Sequence, residues 1–259
     1  MELQRRSLLT GLAVAAMCPI CLGRGAVANE VHAKHWTYEG PEGPEHWGEL
    51  KPEFKSCTIG TQQSPINLAK QIPAKIANLI HDWQVMPLDV VNNGHTIQVN
   101  TAPGSTLSEA GGPKYGMVNF HFHDPSEHTL DGKSFPMEVH FVHLNETKTE
   151  AMVIGVFIQA GEENAVMKTI WTHMPKEAKG TAKPAGVTVD PKGLLPGSLD
   201  RYRYEGSLTT PPCTEFVHWN VLRGTITASE GQIKDFTKLF PNNARPVQPH
   251  NRRFLLDSF

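Results

Sequence analysis

The chain lacks several features that would place it in large protein classes. None of its apolar runs approaches the roughly 20 residues needed to span a bilayer, so no membrane-spanning segment is expected. It has no basic excess either: 24 Lys and Arg stand against 26 Asp and Glu, a formal net charge of -2. Nucleic-acid binding would need a basic surface, so no such partner is expected. No internal repeat or low-complexity segment is present, which argues against a repeat array. Cysteine is scarce, with 4 in 259 residues, far below the density of a small disulfide scaffold.

The first stretch reads separately from the rest. Arg5-Arg6 precede an apolar run from Leu8 to Met17, and Ala26-Val27-Ala28 then offers the small-x-small pattern of a signal-peptidase site. Residues 1–28 are expected to be an export signal and residues 29–259 a single domain, delivered to the periplasm or secreted. The paired arginines before Ser7-Leu8-Leu9 resemble a twin-arginine signal without its usual Phe and Lys, so a general secretory signal stays open. Cys18-Pro19-Ile20-Cys21 falls inside this segment and reads as an accidental spacing, not a redox motif. That leaves Cys57 and Cys213. An even pair in an exported protein most simply forms one disulfide, with two free buried thiols as the alternative.

Glycine and proline, 22 and 20 residues, punctuate the chain. Between them lie short β-rich runs at 96–100, 116–122, 137–143, 151–159 and 216–226, which suggest a mainly-β domain with a largely antiparallel sheet. Helices are expected over 162–171 and 229–239, the second opened by a Ser229 N-cap with Gln232 at the capping-box position.

Two of these runs carry the chemistry. In Asn119-Phe120-His121-Phe122-His123, strand alternation puts His121 and His123 on one face and the two phenylalanines on the other. In Glu138-Val139-His140-Phe141-Val142-His143 it puts Glu138, His140 and Val142 together and turns His143 away. If the runs pair, three imidazoles converge. Three neutral histidines around an open fourth position form the ligand set of a catalytic zinc site, for which carbonic anhydrase is the standing example. The bland alternative is a polar strand face decorated with histidines. Glu138 shifts the balance, because metal-bound imidazoles usually donate their other N–H to a carboxylate or carbonyl.

Further blocks extend along nearly the whole of the chain after the signal. They are His35-Trp36-Thr37-Tyr38, Gly43-Pro44-Glu45-His46-Trp47, Gln63-Ser64-Pro65-Ile66, Asn92-Asn93-Gly94-His95 and Ser126-Glu127-His128-Thr129. Near the end come Gly206-Ser207-Leu208-Thr209-Thr210-Pro211-Pro212 and Arg245-Pro246-Val247-Gln248-Pro249. In order and spacing, with the histidine segments, they resemble the α-class carbonic anhydrases of exported bacterial type.

The resemblance implies a large, twisted, mostly antiparallel central sheet with a few short peripheral helices. It implies zinc-dependent, reversible hydration of carbon dioxide to bicarbonate and a proton by attack of zinc-bound hydroxide. His121, His123 and His140 would hold zinc. Thr209 would accept from the hydroxide and donate to Glu127, since an ionised carboxylate can only accept. His95 matches the proton-shuttle position, where an imidazole with a pKa near about 6.5 suits the task. Tyr38 matches a residue of the solvent network between metal and shuttle. Thr210 matches a second network residue and borders the substrate. Val142, Val153, Leu208, Val217 and Trp219 match the apolar wall beside the metal.

Two departures stand out. Asn119 replaces the Gln that many members place behind the first zinc histidine, and Asp124 stands where vertebrate relatives have Trp. Cys57 and Cys213 match the disulfide of exported members. Bacterial relatives are often dimers, but the sequence carries no interface signature, so a homodimer rests on the resemblance alone. Two other functions compete: a non-catalytic binding module of the same fold and an exported zinc-storage protein. The first would typically lack a zinc histidine, and the second would not need Thr209 with Glu127.

Overall fold

The computed structural model describes residues 35–259. The expected export signal and the Cys18–Cys21 spacing lie outside the described residues. Alternation of apolar and polar side chains sets up strands whose two faces have different fates. The strands that build and frame the site are β1 (Ile72–Ala74), β2 (Val90–Asn92), β3 (Ile97–Asn100), β4 (Tyr115–His123), β5 (Met137–Leu144), β6 (Ala151–Ala160), β7 (Arg201–Gly206), β8 (Val217–Leu222) and β9 (Leu256–Ser258). All lie in one 13-stranded sheet, in the order β2-β3-β4-β5-β6-β8-β7-β9-β1.

Pairing is antiparallel from β2 through β6, between β7 and β8, and between β7 and β9. It is parallel between β6 and β8 and between β9 and β1. The mainly-β, mostly antiparallel architecture expected from the sequence is therefore the one observed. The run 216–226 divides, ending β8 at Leu222 and resuming as a separate strand at Ile226–Ala228.

The helices follow their caps. Ser229 accepts from Gln232 N–H while the Gln232 side chain bonds back to the Ser229 backbone, starting the helix Glu230–Thr237 with the expected capping box. The other helix, Ala165–His173, begins three residues after the expected start. Asn164 caps it by accepting from the backbone N–H groups of Val166 and Met167. Among the described residues no helix is long and apolar enough to cross a membrane.

The sheet separates two apolar clusters. On one face Phe120, Phe122, Val139 and Phe141 pack with Trp83, Val99 and Ile154. Each fully buried Phe contributes about 1.5–3 kcal/mol, enough to fix the register of β4 against β5. His143 joins this side, fully buried, with its ring 5.6 Å from that of Trp83. Its expected divergence from His140 is real. On the other face a smaller cluster gathers Ile66, Val153, Tyr204, Val217 and Trp219. His121, His123, Glu138 and His140 lie on this second face, where Trp219 packs against His140. Cys57, in the helical turn Ser56–Ile59, is bonded to Cys213 across 156 residues, so the disulfide reading holds.

Candidate metal centre

The antiparallel register sets His140 opposite His121 and Glu138 opposite His123. Directly opposed residues share a face, so three imidazoles and a carboxylate collect at one place. The candidate ligand atoms of His121, His123 and His140 all lie within 4.8 Å of one another.

Each ring has its second nitrogen committed elsewhere. His121 Nδ1 is 3.0 Å from Asn119 Oδ1, His123 Nδ1 is 2.8 Å from the Asn243 carbonyl, and His140 Nε2 is 2.9 Å from Glu138 Oε1. All three partners are acceptors, so those nitrogens carry the protons. The remaining lone pairs belong to Nε2 of His121, Nε2 of His123 and Nδ1 of His140. His123 Nε2 is buried without a hydrogen-bond partner. Such an orphan costs about 1–3 kcal/mol, which a bound cation would relieve. The donor set fits zinc: neutral imidazoles, oriented by acceptors behind them. Asn119, though shorter than Gln, reaches His121 because residues two apart on a strand share a face.

Burial, followed by the neighbouring rings of His123 and His140, holds His121 well below the usual histidine range. Burial also lowers His123, against the charge of Glu127. For His140 burial acts downward, but the charge and hydrogen bond of Glu138 raise it above the ordinary value. Glu138 itself would be raised by burial; His128 and His140 instead hold it well below the carboxylate range.

Behind the triad runs a buried polar relay. Glu138 Oε1 also accepts from His128 Nδ1 at 2.7 Å, and Oε2 accepts from the His128 backbone N–H at 2.9 Å. His128 Nε2 is 2.7 Å from Tyr204 Oη, which is 3.0 Å from Ser64 Oγ. Ser64 Oγ accepts the Ser207 N–H at 3.1 Å, one residue before Leu208. The third histidine is thus linked, through hydrogen bonds alone, to the turn that carries Thr209.

That turn follows β7 and is pinned at both ends. Leu208 N–H donates to Thr214 O at 3.1 Å, Cys213 N–H donates to Thr210 O at 2.9 Å, and Cys213 carries the disulfide. Thr209 is buried and Thr210 half-buried. Glu127 Oε1 accepts the Arg245 N–H at 2.9 Å, whereas its Oε2 is buried and unpartnered, 3.5 Å from His123 Nε2 and 3.7 Å from His140 Nδ1. The Arg245 guanidinium donates to the carbonyls of Cys57 and Ser64 and to Gln63 Oε1, which fixes Glu127 relative to the disulfide.

Val142, Val153, Leu208, Val217 and Trp219 come together in one apolar cluster. Val142 faces Val153 across β5 and β6, and Val153 faces Trp219 across β6 and β8. Val142 and Leu208 pack on the cluster that holds Val153, Val217 and Trp219, and the Trp219 ring lies 4.8 Å from that of His140. His95 sits in the turn between β2 and β3. Its ring stacks on Trp36 at 3.5 Å with an 8° tilt, with His35 4.8 Å and Tyr38 6.4 Å away. Burial and then His35 push His95 down to about 4. Burial, followed by Glu127, raises the Tyr38 phenol well above its usual value.

Sequence reading assigned no role to His128, Tyr204, Ser64, Asn243 or Arg245. His128 was within reach, since it adjoins Glu127 in a recognisable block. Asn243 was not: it lies 120 residues from His123 and acts there through its backbone carbonyl, which any residue possesses.

A family model for eukaryotic-type carbonic anhydrases matches residues 42–259. The chain belongs to the eukaryotic-type (α) carbonic anhydrase family. This carbonic anhydrase is 41% identical over 244 residues to a carbonic anhydrase of Neisseria gonorrhoeae, covering 94% of this chain and 95% of the relative. Its fold superposes on a hyperthermostable carbonic anhydrase from an active hydrothermal vent chimney with a TM-score of 0.83 and 41% identity, over 87% of this chain and 100% of the other. The α-carbonic anhydrase of Thermovibrio ammonificans, solved with the inhibitor sulfanilamide, gives 0.81 and 43%, over 86% and 98%. Hydration of carbon dioxide is the reaction of this family of metalloenzymes, and the chain carries a histidine triad able to hold a metal.

Proposed function

We propose that His121, His123 and His140 hold zinc, and that the enzyme hydrates carbon dioxide through it, with His95 passing the released proton to solvent. The observation that carries this reading is the set of three inward imidazole lone pairs, each ring fixed by an acceptor on its far side. When bound, zinc supplies a hydroxide nucleophile at neutral pH by lowering the pKa of water from about 15.7 to about 7, a value that belongs to carbonic anhydrases as a family.

The protein's part is orientation and proton handling. Glu127 Oε2, buried and without a partner, is free to accept the Thr209 hydroxyl proton. With that proton committed, the Thr209 oxygen can only accept, which sets the direction of the nucleophile's lone pair. Carbon dioxide is small and uncharged, so Val142, Val153, Leu208, Val217 and Trp219 position it by shape and exclusion of water, with Thr210 at the polar edge. Tyr38 and Thr210 border the solvent path to His95. On Trp36 the His95 ring is held near a pKa of about 4. To take a proton at neutral pH it must leave the stack for water, where about 6.5 is ordinary.

An export signal over residues 1–28, a domain over 29–259 and a periplasmic or secreted location are part of the same reading, supported by the Cys57–Cys213 disulfide. Association as a homodimer is carried by likeness to bacterial relatives. Stopped-flow hydration assays test the proposal. Thr209→Val should retain zinc and lose about a hundredfold in rate, whereas a zinc-loaded wild type with no hydration activity would overturn the reading.

A further inference from the structure

Glycine inside a strand weakens it, so a mid-strand glycine needs a reason. Gly155 lies in the middle of β6, in register between His140 of β5 and Val221 of β8. Its backbone is not in the left-handed region that favours glycine. The reason is spatial. A Cβ at this position would stand 2.8 Å from Glu138 Oε1, and only 3.5 Å and 3.7 Å from Val221 Cγ2 and His140 Cδ2. The last two are ordinary contacts; the first is not.

We propose that Gly155 is a positioning residue for the metal site, its missing side chain being the space in which the Glu138 carboxylate sits beneath His140. The carboxylate cannot swing aside cheaply. It is fully buried and accepts from His140 Nε2, His128 Nδ1 and the His128 backbone N–H. A side chain at 155 would displace Oε1 and with it the acceptor that fixes the tautomer and direction of His140. The inference rests on the zinc reading above for its function, though not for its sterics.

The test compares Gly155→Ala, Glu138→Ala and the double variant as full-length, zinc-loaded proteins, reading the rate of zinc release to excess dipicolinate. Gly155→Ala should release zinc about 10- to 100-fold faster, the usual effect of losing a partner behind a metal-bound histidine. The double variant should match Glu138→Ala alone, because the new methyl group then fills vacated space. Wild-type release from Gly155→Ala, or a double variant faster than Glu138→Ala by the full Gly155→Ala factor, overturns the proposal. If Gly155→Ala does not fold, a folded double variant supports the proposal and an unfolded one overturns it. No arm uses catalysis. A zinc-loaded wild type that fails to hydrate carbon dioxide would therefore refute the proposed function separately.

Discussion

Glu138 Oε1 accepts from His140 Nε2 at 2.9 Å, with both side chains sealed from water inside the sheet. The carboxylate receives only donors, three in all, and has no need of a proton of its own. Glu138→Gln keeps the shape but turns an NH2 group toward one of those donors. Zinc affinity should fall about 10- to 100-fold, measured by competition with a chelator of known affinity. Unaltered affinity would mean that His140 is oriented by packing alone.

The stack of His95 on Trp36 makes a second prediction. Removing the indole exposes the imidazole, so in Trp36→Ala the His95 pKa should rise from about 4 toward about 6.5. Histidine ring signals followed by NMR across pH would report it. In the same framework His95→Ala should lower kcat by roughly ten- to a hundredfold, spare kcat/KM, and recover when imidazole is added. A loss that imidazole does not restore would remove His95 from proton transfer.

His143 predicts a sensitivity to acid. Burial pushes it down to about 4, against hydrogen bonds to the Met152 and Phe141 carbonyls that act upward. Its folded form is neutral, while the unfolded chain takes up a proton near about 6.5. Stability from this residue is therefore complete above about 6.5 and lost progressively as pH falls toward 4. The full effect is roughly 3 kcal/mol. Urea midpoints measured between pH 7.5 and 5 should fall more steeply for the wild type than for His143→Gln. Parallel curves would contradict this.

How legible the site was depended on which atoms carry it. Side chains on alternating strand positions were readable, because β4 and β5 present His121, His123, His140 and Glu138 to one face by geometry alone. The removal of His143 followed from the same rule. The Thr209, Glu127 and His95 positions needed motif resemblance, since each looks like an ordinary turn or core residue. What stayed hidden acts through backbone or through absence. The Asn243 carbonyl orients His123 from across the fold, and Gly155 contributes space. The helix expected from residue 162 starts at Ala165 because the Asn164 side chain caps the backbone N–H groups of Val166 and Met167.

The disulfide should matter for the active-site turn as well as for stability. Cys213 terminates the turn that carries Thr209, and its partner Cys57 lies beside the Arg245 guanidinium. Cys57→Ser with Cys213→Ser should cost about 2–5 kcal/mol in urea unfolding, and non-reducing peptide mapping of the wild type should find the two cysteines linked. Equal midpoints with and without the bond would assign it no stabilising role.

The central claim is that catalysis resides in zinc held by three histidines. Stopped-flow hydration of carbon dioxide, recorded while zinc is stripped with a chelator and then added back, tests it most directly. The rate should track bound zinc, vanish in the stripped protein, return on readdition, and stay absent in a folded His121→Ala variant. Hydration that persists in the stripped protein, or in His121→Ala without zinc, would contradict the account.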